Sequence, residues 1–136
     1  YTQLNPARWD GGLKTLLPAP QKISKTTHYK ALNVELMPEF WAKLAEQEWQ
    51  GAKVLQFGIL TATRSSEMRC ALWTEIDFKN KVWLIPADRM KGEYAKAHSI
   101  PLSQAAFELL NSMPKISKYV FPSAKDGLLS DMTVSK

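Results

Sequence analysis

Residues 52–63, AKVLQFGILTAT, carry apolar side chains almost all the way round a helical wheel. A helix without a polar face has to be enclosed on every side, so the remainder of the chain must build a shell around this segment. The flanks are suited to that. Upstream, Pro38 fits the first turn of a helix reaching about Gln50, with Met37, Phe40, Trp41 and Leu44 at helical spacing and Gly51 as its stop. Downstream, Ser65 has the chemistry of an N-cap for a helix to roughly Trp73.

The period then changes from helix to strand. Residues 75–78 (EIDF), a turn at Lys79-Asn80-Lys81 and residues 82–86 (VWLIP) predict two antiparallel strands. Residues 99–103 (SIPLS) predict a third, whose Pro101 belongs at an edge or a strand end. Between them, residues 87–98 form a loop with Gly92 at its tip. Ser103 caps a further amphipathic helix with Ala106, Phe107, Leu109, Leu110 and Met113 on one face. Tyr119-Val120-Phe121 predicts a short buried piece, and Ser130 opens a last helix. The expected class is α+β: mainly helical, with a small three-stranded antiparallel sheet.

Residues 1–30 differ from this domain. Asn5-Pro6 suits a helix start, Leu13, Leu16 and Leu17 continue an apolar stripe, and residues 18–30 (PAPQKISKTTHYK) read as a linker. The expected division is therefore 1–30 and 31–136. Of a formal net charge of +5, most is concentrated in the first part, where Arg8, Lys14, Lys22, Lys25 and Lys30 stand against Asp10 alone. An excess of that size is compatible with a polyanion partner such as nucleic acid. Tyr1 at the start and an incipient helix at Ser135-Lys136 suggest a piece of a longer protein.

No apolar run approaches the length of a membrane span, so no membrane partner is expected. A single cysteine, Cys70, leaves no disulfide framework and fits a reducing, cytoplasmic setting; its apolar context predicts a buried, inert thiol. The two histidines, His28 and His98, and Cys70 lack metal-ligand spacing. No metal is expected.

Arg64 is the residue whose chemistry is least settled locally. It stands between two helical runs, with Glu67 three residues on. One reading makes it the partner of Glu67 in a structural ion pair. The other makes it a placed cation beside a helix start, where guanidinium and backbone N–H groups together attract a phosphate. Lys91 is equally double-sided, because a lysine on an exposed loop beside Arg89 and Lys96 is ordinarily just solvated.

Taken in order, LTATRSSEMRCALWTEIDFKNKVWLIPADRMK and HSIPLS resemble the catalytic domain of tyrosine recombinases, the phage- and genomic-island-type integrases. The resemblance extends to NPARWDGGLKTLLP upstream and to YVFPS and the Ser130-Asp131 helix start downstream. It implies the N-terminal half of a DNA breaking-rejoining core, preceded by the end of a core-binding domain and a basic linker. It implies that Arg64 contacts the scissile phosphate, that Glu67 supports it, and that Lys91 acts as general acid on the 5′-hydroxyl leaving group. His98 matches the family's His-x-Val/Ile-Pro-Leu-Ser strand, where a structural histidine is expected and a catalytic one is the alternative. Arg89, Lys96 and Lys25 become candidate DNA contacts.

The whole enzyme, on this resemblance, cleaves and rejoins double-stranded DNA attachment sites through a 3′-phosphotyrosyl link, without metal or nucleotide. It assembles with copies of itself on DNA and works with accessory bending or directionality proteins. The family's later His-x-x-Arg box and tyrosine nucleophile have no counterpart in these 136 residues: neither histidine has an arginine three positions on, and Tyr1, Tyr29, Tyr94 and Tyr119 fall elsewhere. The chain alone is therefore expected to be inactive. The competing reading is a non-catalytic DNA-binding or regulatory module of the same fold. The two differ in whether the gene continues into a His-x-x-Arg box and a tyrosine.

Overall fold

The computed structural model describes residues 5, 7–17, 30–90, 96–125 and 127–133. The chain forms two compact units, Tyr1–Asn33 and Val34–Lys136. In the first, the Asn5 side-chain oxygen accepts from the Ala7 N–H at 2.9 Å. A wide helical turn over Trp9–Leu13 then runs into α1 (Lys14–Leu16). The helix thus begins later than Asn5-Pro6 suggested. Most of the expected linker, with Lys25 and His28, lies outside the described residues.

In the second unit, α2 (Met37–Ala45) carries Pro38 in its first turn, as its spacing predicts, but ends well before Gln50. Gly51 does not stop it. This glycine is the second residue of α3 (Gln50–Thr61) and is buried. A Cβ there would fall 1.8 Å from a ring carbon of Trp49 and 2.7 Å from the Thr133 carbonyl oxygen. Close packing, not helix termination, requires glycine at this position. Helix α3 enters the core, with Ala52, Val54 and Phe57 fully buried, but it is not enclosed on every side: Ile59 is exposed and Leu55 and Leu60 are half-buried. Its buried Gln56 is matched: the side chain donates to the Leu44 carbonyl at 2.8 Å, satisfying an acceptor at the end of α2.

Helix α3 closes on Ala62, whose φ of 53° is left-handed. The Thr61 hydroxyl donates back to the Phe57 carbonyl at 2.7 Å and shares a 2.9 Å contact with that of Thr63. The chain then enters α4 (Ser65–Arg69), a helix of only 5 residues. Two expectations fail here. The cap is Arg64 rather than Ser65, and the helix stops near Cys70 instead of reaching Trp73. Beyond it Leu72 bridges to Tyr119 and Trp73–Glu75 make a tight turn. Cys70 is half-buried, more open than its apolar setting predicted.

The sheet is a meander in the order β1-β2-β3: β1 (Ile76–Asp77), β2 (Val82–Ile85) and β3 (His98–Pro101). Pro101 lies on an edge strand, where its missing N–H is harmless. Trp83 pairs with Ile76 on one side and Ile100 on the other, and all three are buried. Leu84, one residue on, faces outward and is exposed. Between β1 and β2, the Asp77 carboxylate accepts from the backbone N–H groups of Lys79 (3.0 Å) and Asn80 (2.9 Å) and from the Asn80 side-chain amide (2.6 Å). Helix α5 (Gln104–Ser112) starts on Ser103, whose hydroxyl accepts from the Ala106 N–H at 3.2 Å. Phe57 meets Trp83 at 5.0 Å and Phe121 at 5.4 Å between ring centroids, which locks α3, the sheet and the 119–121 segment into one core.

Two consequences are measurable. A Cβ-bearing residue in the left-handed region costs about 1–2 kcal/mol, of which the greater freedom of an unfolded glycine returns about 0.5–1 kcal/mol. Ala62→Gly is therefore expected to stabilise the fold slightly, raising the urea midpoint at unchanged slope; a lowered midpoint contradicts the strain.

Asp77 is held below its ordinary value of 3.8, first by the Asn80 backbone N–H, then by the Asn80 side chain, with the Lys79 N–H a smaller contributor. A depressed carboxylate stabilises the fold above 3.8 and loses that contribution as pH falls through its folded value. Urea midpoints of the wild type and Asp77→Asn, measured from pH 6 downward, should converge in acid. A constant gap is the contrary result.

Candidate active site

Arg64 is the last residue before α4, with extended backbone (φ −70°, ψ 150°), and its own carbonyl accepts the first helical hydrogen bonds. Glu67, one turn into α4, folds back to it. One carboxylate oxygen accepts from the Arg64 backbone N–H at 3.1 Å and the other from its Nη1 at 2.7 Å. Glu67 thus caps the helix and braces the guanidinium at once. The Glu67 side chain is 7% exposed and that of Arg64 63% exposed, so the pair is buried at its acidic end and open at its basic end. The choice between structural partner and outward cation dissolves: one Nη is held and the remainder of the guanidinium faces solvent.

Arg64 lines a cavity of about 260 Å³ with Ala62, Thr63, Glu67, Met90 and His98. His98 reaches it through the sheet register. It lies opposite the buried Ile85, and directly paired residues share a face. At the start of β3 that face leaves the core and becomes cavity wall, so His98 is exposed although its sheet partner is not. Met90 brings the segment after β2 to the same cavity. Lys91, its neighbour in sequence, and Lys25 lie outside the described residues. Lys96 is exposed.

Arg89, a candidate DNA contact by sequence, is engaged within the protein. Its Nη1 pairs with the Glu75 carboxylate and its Nη2 donates to the Glu67 carbonyl at 2.8 Å. With the side chains 18% and 6% exposed, this is an interior ion pair. Glu75 also accepts from the Trp83 indole N–H at 3.0 Å and the Leu72 backbone N–H at 3.2 Å. Sequence reasoning missed this carboxylate, although the signal was present. Leu72 to Glu75 repeats the spacing of Arg64 to Glu67, an acid three residues after a helical turn begins. It also missed Arg69, buried with Nη1 on the Leu129 carbonyl and Nη2 on Asp131. Among the described residues no group of His, Cys, Asp and Glu is arranged to hold a metal ion, and no helix is long and apolar enough to cross a membrane.

The architecture is shared with recombinases of known structure. XerA recombinase superposes with a TM-score of 0.59 at 14% identity, over 88% of this chain and 44% of that one. A lambda integrase, solved as a tetramer bound to a Holliday junction, gives 0.60 at 16% identity, over 82% and 34%. Sequence relationships are closer. The integrase of Enterobacteria phage P4 is 35% identical over 99% of this chain and 33% of its own length. Prophage integrase IntS of Escherichia coli (strain K12) is 38% identical over 80% and 31%. The phage integrase family model matches residues 23–136, and the chain belongs to that family. It spans about a third of the length of these curated relatives.

Removing the charge of Glu75 leaves the Arg89 guanidinium buried without its counterion. Glu75→Gln is expected to cost about 3–5 kcal/mol by chemical denaturation. Adding Arg89→Met should recover part of it, and a double variant no more stable than the single one refutes the pairing energetics.

Proposed function

We propose that this chain is the first half of the catalytic domain of a site-specific DNA recombinase. In this reading residues 1–30 are the end of a core-binding domain with its basic linker, and 31–136 are the N-terminal part of the catalytic domain. The complete protein cleaves and rejoins double-stranded attachment sites in the cytoplasm through a 3′-phosphotyrosyl intermediate, to integrate or excise a mobile element. Two solved relatives, the lambda integrase and the Tn1549 transposon integrase, were captured on a Holliday junction and on circular-intermediate DNA, which supports duplex DNA as the partner. Self-assembly on that DNA and help from bending or directionality proteins belong to the same reading.

The observation that carries it is the Arg64 guanidinium, braced at Nη1 by Glu67 at 2.7 Å and otherwise open on a cavity that Met90 and His98 share. A tyrosine oxygen attacking phosphorus concentrates negative charge on the non-bridging oxygens, and a guanidinium already oriented there needs no reorganisation as that charge develops. Glu67 supplies the orientation. In the same reading Lys91 delivers a proton to the departing 5′-oxygen as general acid. The nucleophile and the second arginine must come from sequence beyond these residues, so the chain alone is expected not to cleave.

The test is a suicide-substrate cleavage assay on protein extended through a His-x-x-Arg box and a tyrosine. Arg64→Ala should abolish cleavage with the fold intact. Lys91→Ala should slow it less, and a 5′-bridging phosphorothiolate, whose sulfur leaves without a proton, should restore it. Wild-type rates in both variants defeat the assignment. Binding without cleavage by the extended wild-type protein supports a regulatory module instead.

A further inference from the structure

We propose that Arg89 is a positioning residue for Arg64, clamping the main chain of Glu67 to the buried carboxylate of Glu75. The inference rests on the reading of Arg64 as the phosphate-directed cation and adds what fixes that cation in place.

Glu67 can aim Arg64 only if Glu67 is itself immobile. Helix α4 has 5 residues, too few for a helix to sustain itself by its own hydrogen bonds, so its geometry must be imposed from outside. One side is packing, through Met68 and Ala71 in the core. The other is polar. Arg89 reaches across from the turn after β2 and spends its fork on two partners, Nη1 on the Glu75 carboxylate and Nη2 on the Glu67 carbonyl at 2.8 Å. Glu75 is fixed in turn by the indole N–H of Trp83, a fully buried residue of the central strand, at 3.0 Å. A continuous path therefore runs from the core indole through Glu75 and Arg89 to the Glu67 main chain. The Glu67 side chain completes it at Arg64.

Only arginine makes this link. A planar guanidinium offers two N–H groups in one rigid fork, whereas an ammonium is a point charge that can satisfy Glu75 without spanning to the Glu67 carbonyl in the same geometry. Arg89→Lys thus keeps the buried charge and removes the clamp. Displacements of about 1 Å in a catalytic group can cost about a hundredfold in rate, so the effect belongs in the chemical step rather than in DNA affinity.

The experiment uses a cleavage-competent recombinase containing this chain, assayed in single turnover on two duplexes. One carries the ordinary scissile phosphate. The other carries a methylphosphonate there, in which a methyl group replaces one non-bridging oxygen and removes the charge that Arg64 neutralises. Arg89→Lys should bind DNA like the wild type and cleave the ordinary duplex about tenfold or more slowly. On the methylphosphonate, Arg64→Ala and Arg89→Lys should both recover toward the wild-type rate.

Wild-type cleavage of ordinary DNA by Arg89→Lys overturns the proposal. So does an equal loss on both duplexes while Arg64→Ala is rescued, since the arginine then serves stability alone. If Arg64→Ala itself is not rescued, the reading of Arg64 fails, and this inference with it. Should Arg89→Lys lose the fold, Glu75→Gln with Arg89→Gln carries the same test, because that pair leaves no buried charge.

Discussion

Glu75 is almost wholly removed from water, and its two carboxylate oxygens accept from the Leu72 backbone, the Trp83 indole and the Arg89 guanidinium. Each donor belongs to a different piece of the fold: the turn before β1, the central strand β2 and the segment after β2. A buried charge is costly unless it is neutralised and its lone pairs are filled. The arrangement that satisfies Glu75 is therefore also the one that fixes where these three pieces stand. The apolar core alone would permit small slides among them. A buried carboxylate with directional donors does not.

The consequence reaches the site through a second carboxylate. Glu67 is buried like Glu75, but its partner is mostly exposed. In the first pair both charges are used up inside the protein; in the second the acid is consumed and the cation is presented. The same chemistry, an acid three residues into a turn accepting from the backbone N–H at its start, serves as a brace in one place and as an aiming device in the other. What separates them is where the arginine ends: Arg89 points inward, whereas Arg64 opens on a cavity.

Much of this frame was legible in the sequence. The apolar run at 52–63 required a core helix, although its Ile59 side stays open, the period change after Trp73 required a meander, and Ser103 announced α5. Element ends were less legible. Gly51 has the composition of a helix stop, yet it answers a close approach by Trp49 and Thr133, and Thr133 lies far along the chain. Ser65 has the chemistry of a cap, but the helix starts one residue earlier, with Arg64 at the cap and Glu67 accepting from its N–H. The partner of Arg89 was hidden for the same reason. Beside Lys91 and Lys96 it looks like one of a set of solvated cations, while its counterion lies 14 positions upstream across a strand. Local pattern reports propensity; it does not report a partner that only tertiary packing brings near.

The site also corrects the expected source of its attraction for anions. A helix N-terminus beside an arginine suggested a joint anion site, dipole and guanidinium together. Helix α4, at 5 residues, has few aligned peptide dipoles, and the Glu67 carboxylate already lies against its first turn. Whatever positive potential the helix start supplies is opposed by that acid. In the proposed reading, the pull on a phosphate therefore falls to the part of the Arg64 guanidinium that Glu67 does not hold. Glu67 weakens the local field and in return fixes its direction. For the proposed reaction, whose charge develops on the non-bridging oxygens of one phosphate, a cation held in the right orientation is worth more than a stronger one free to turn.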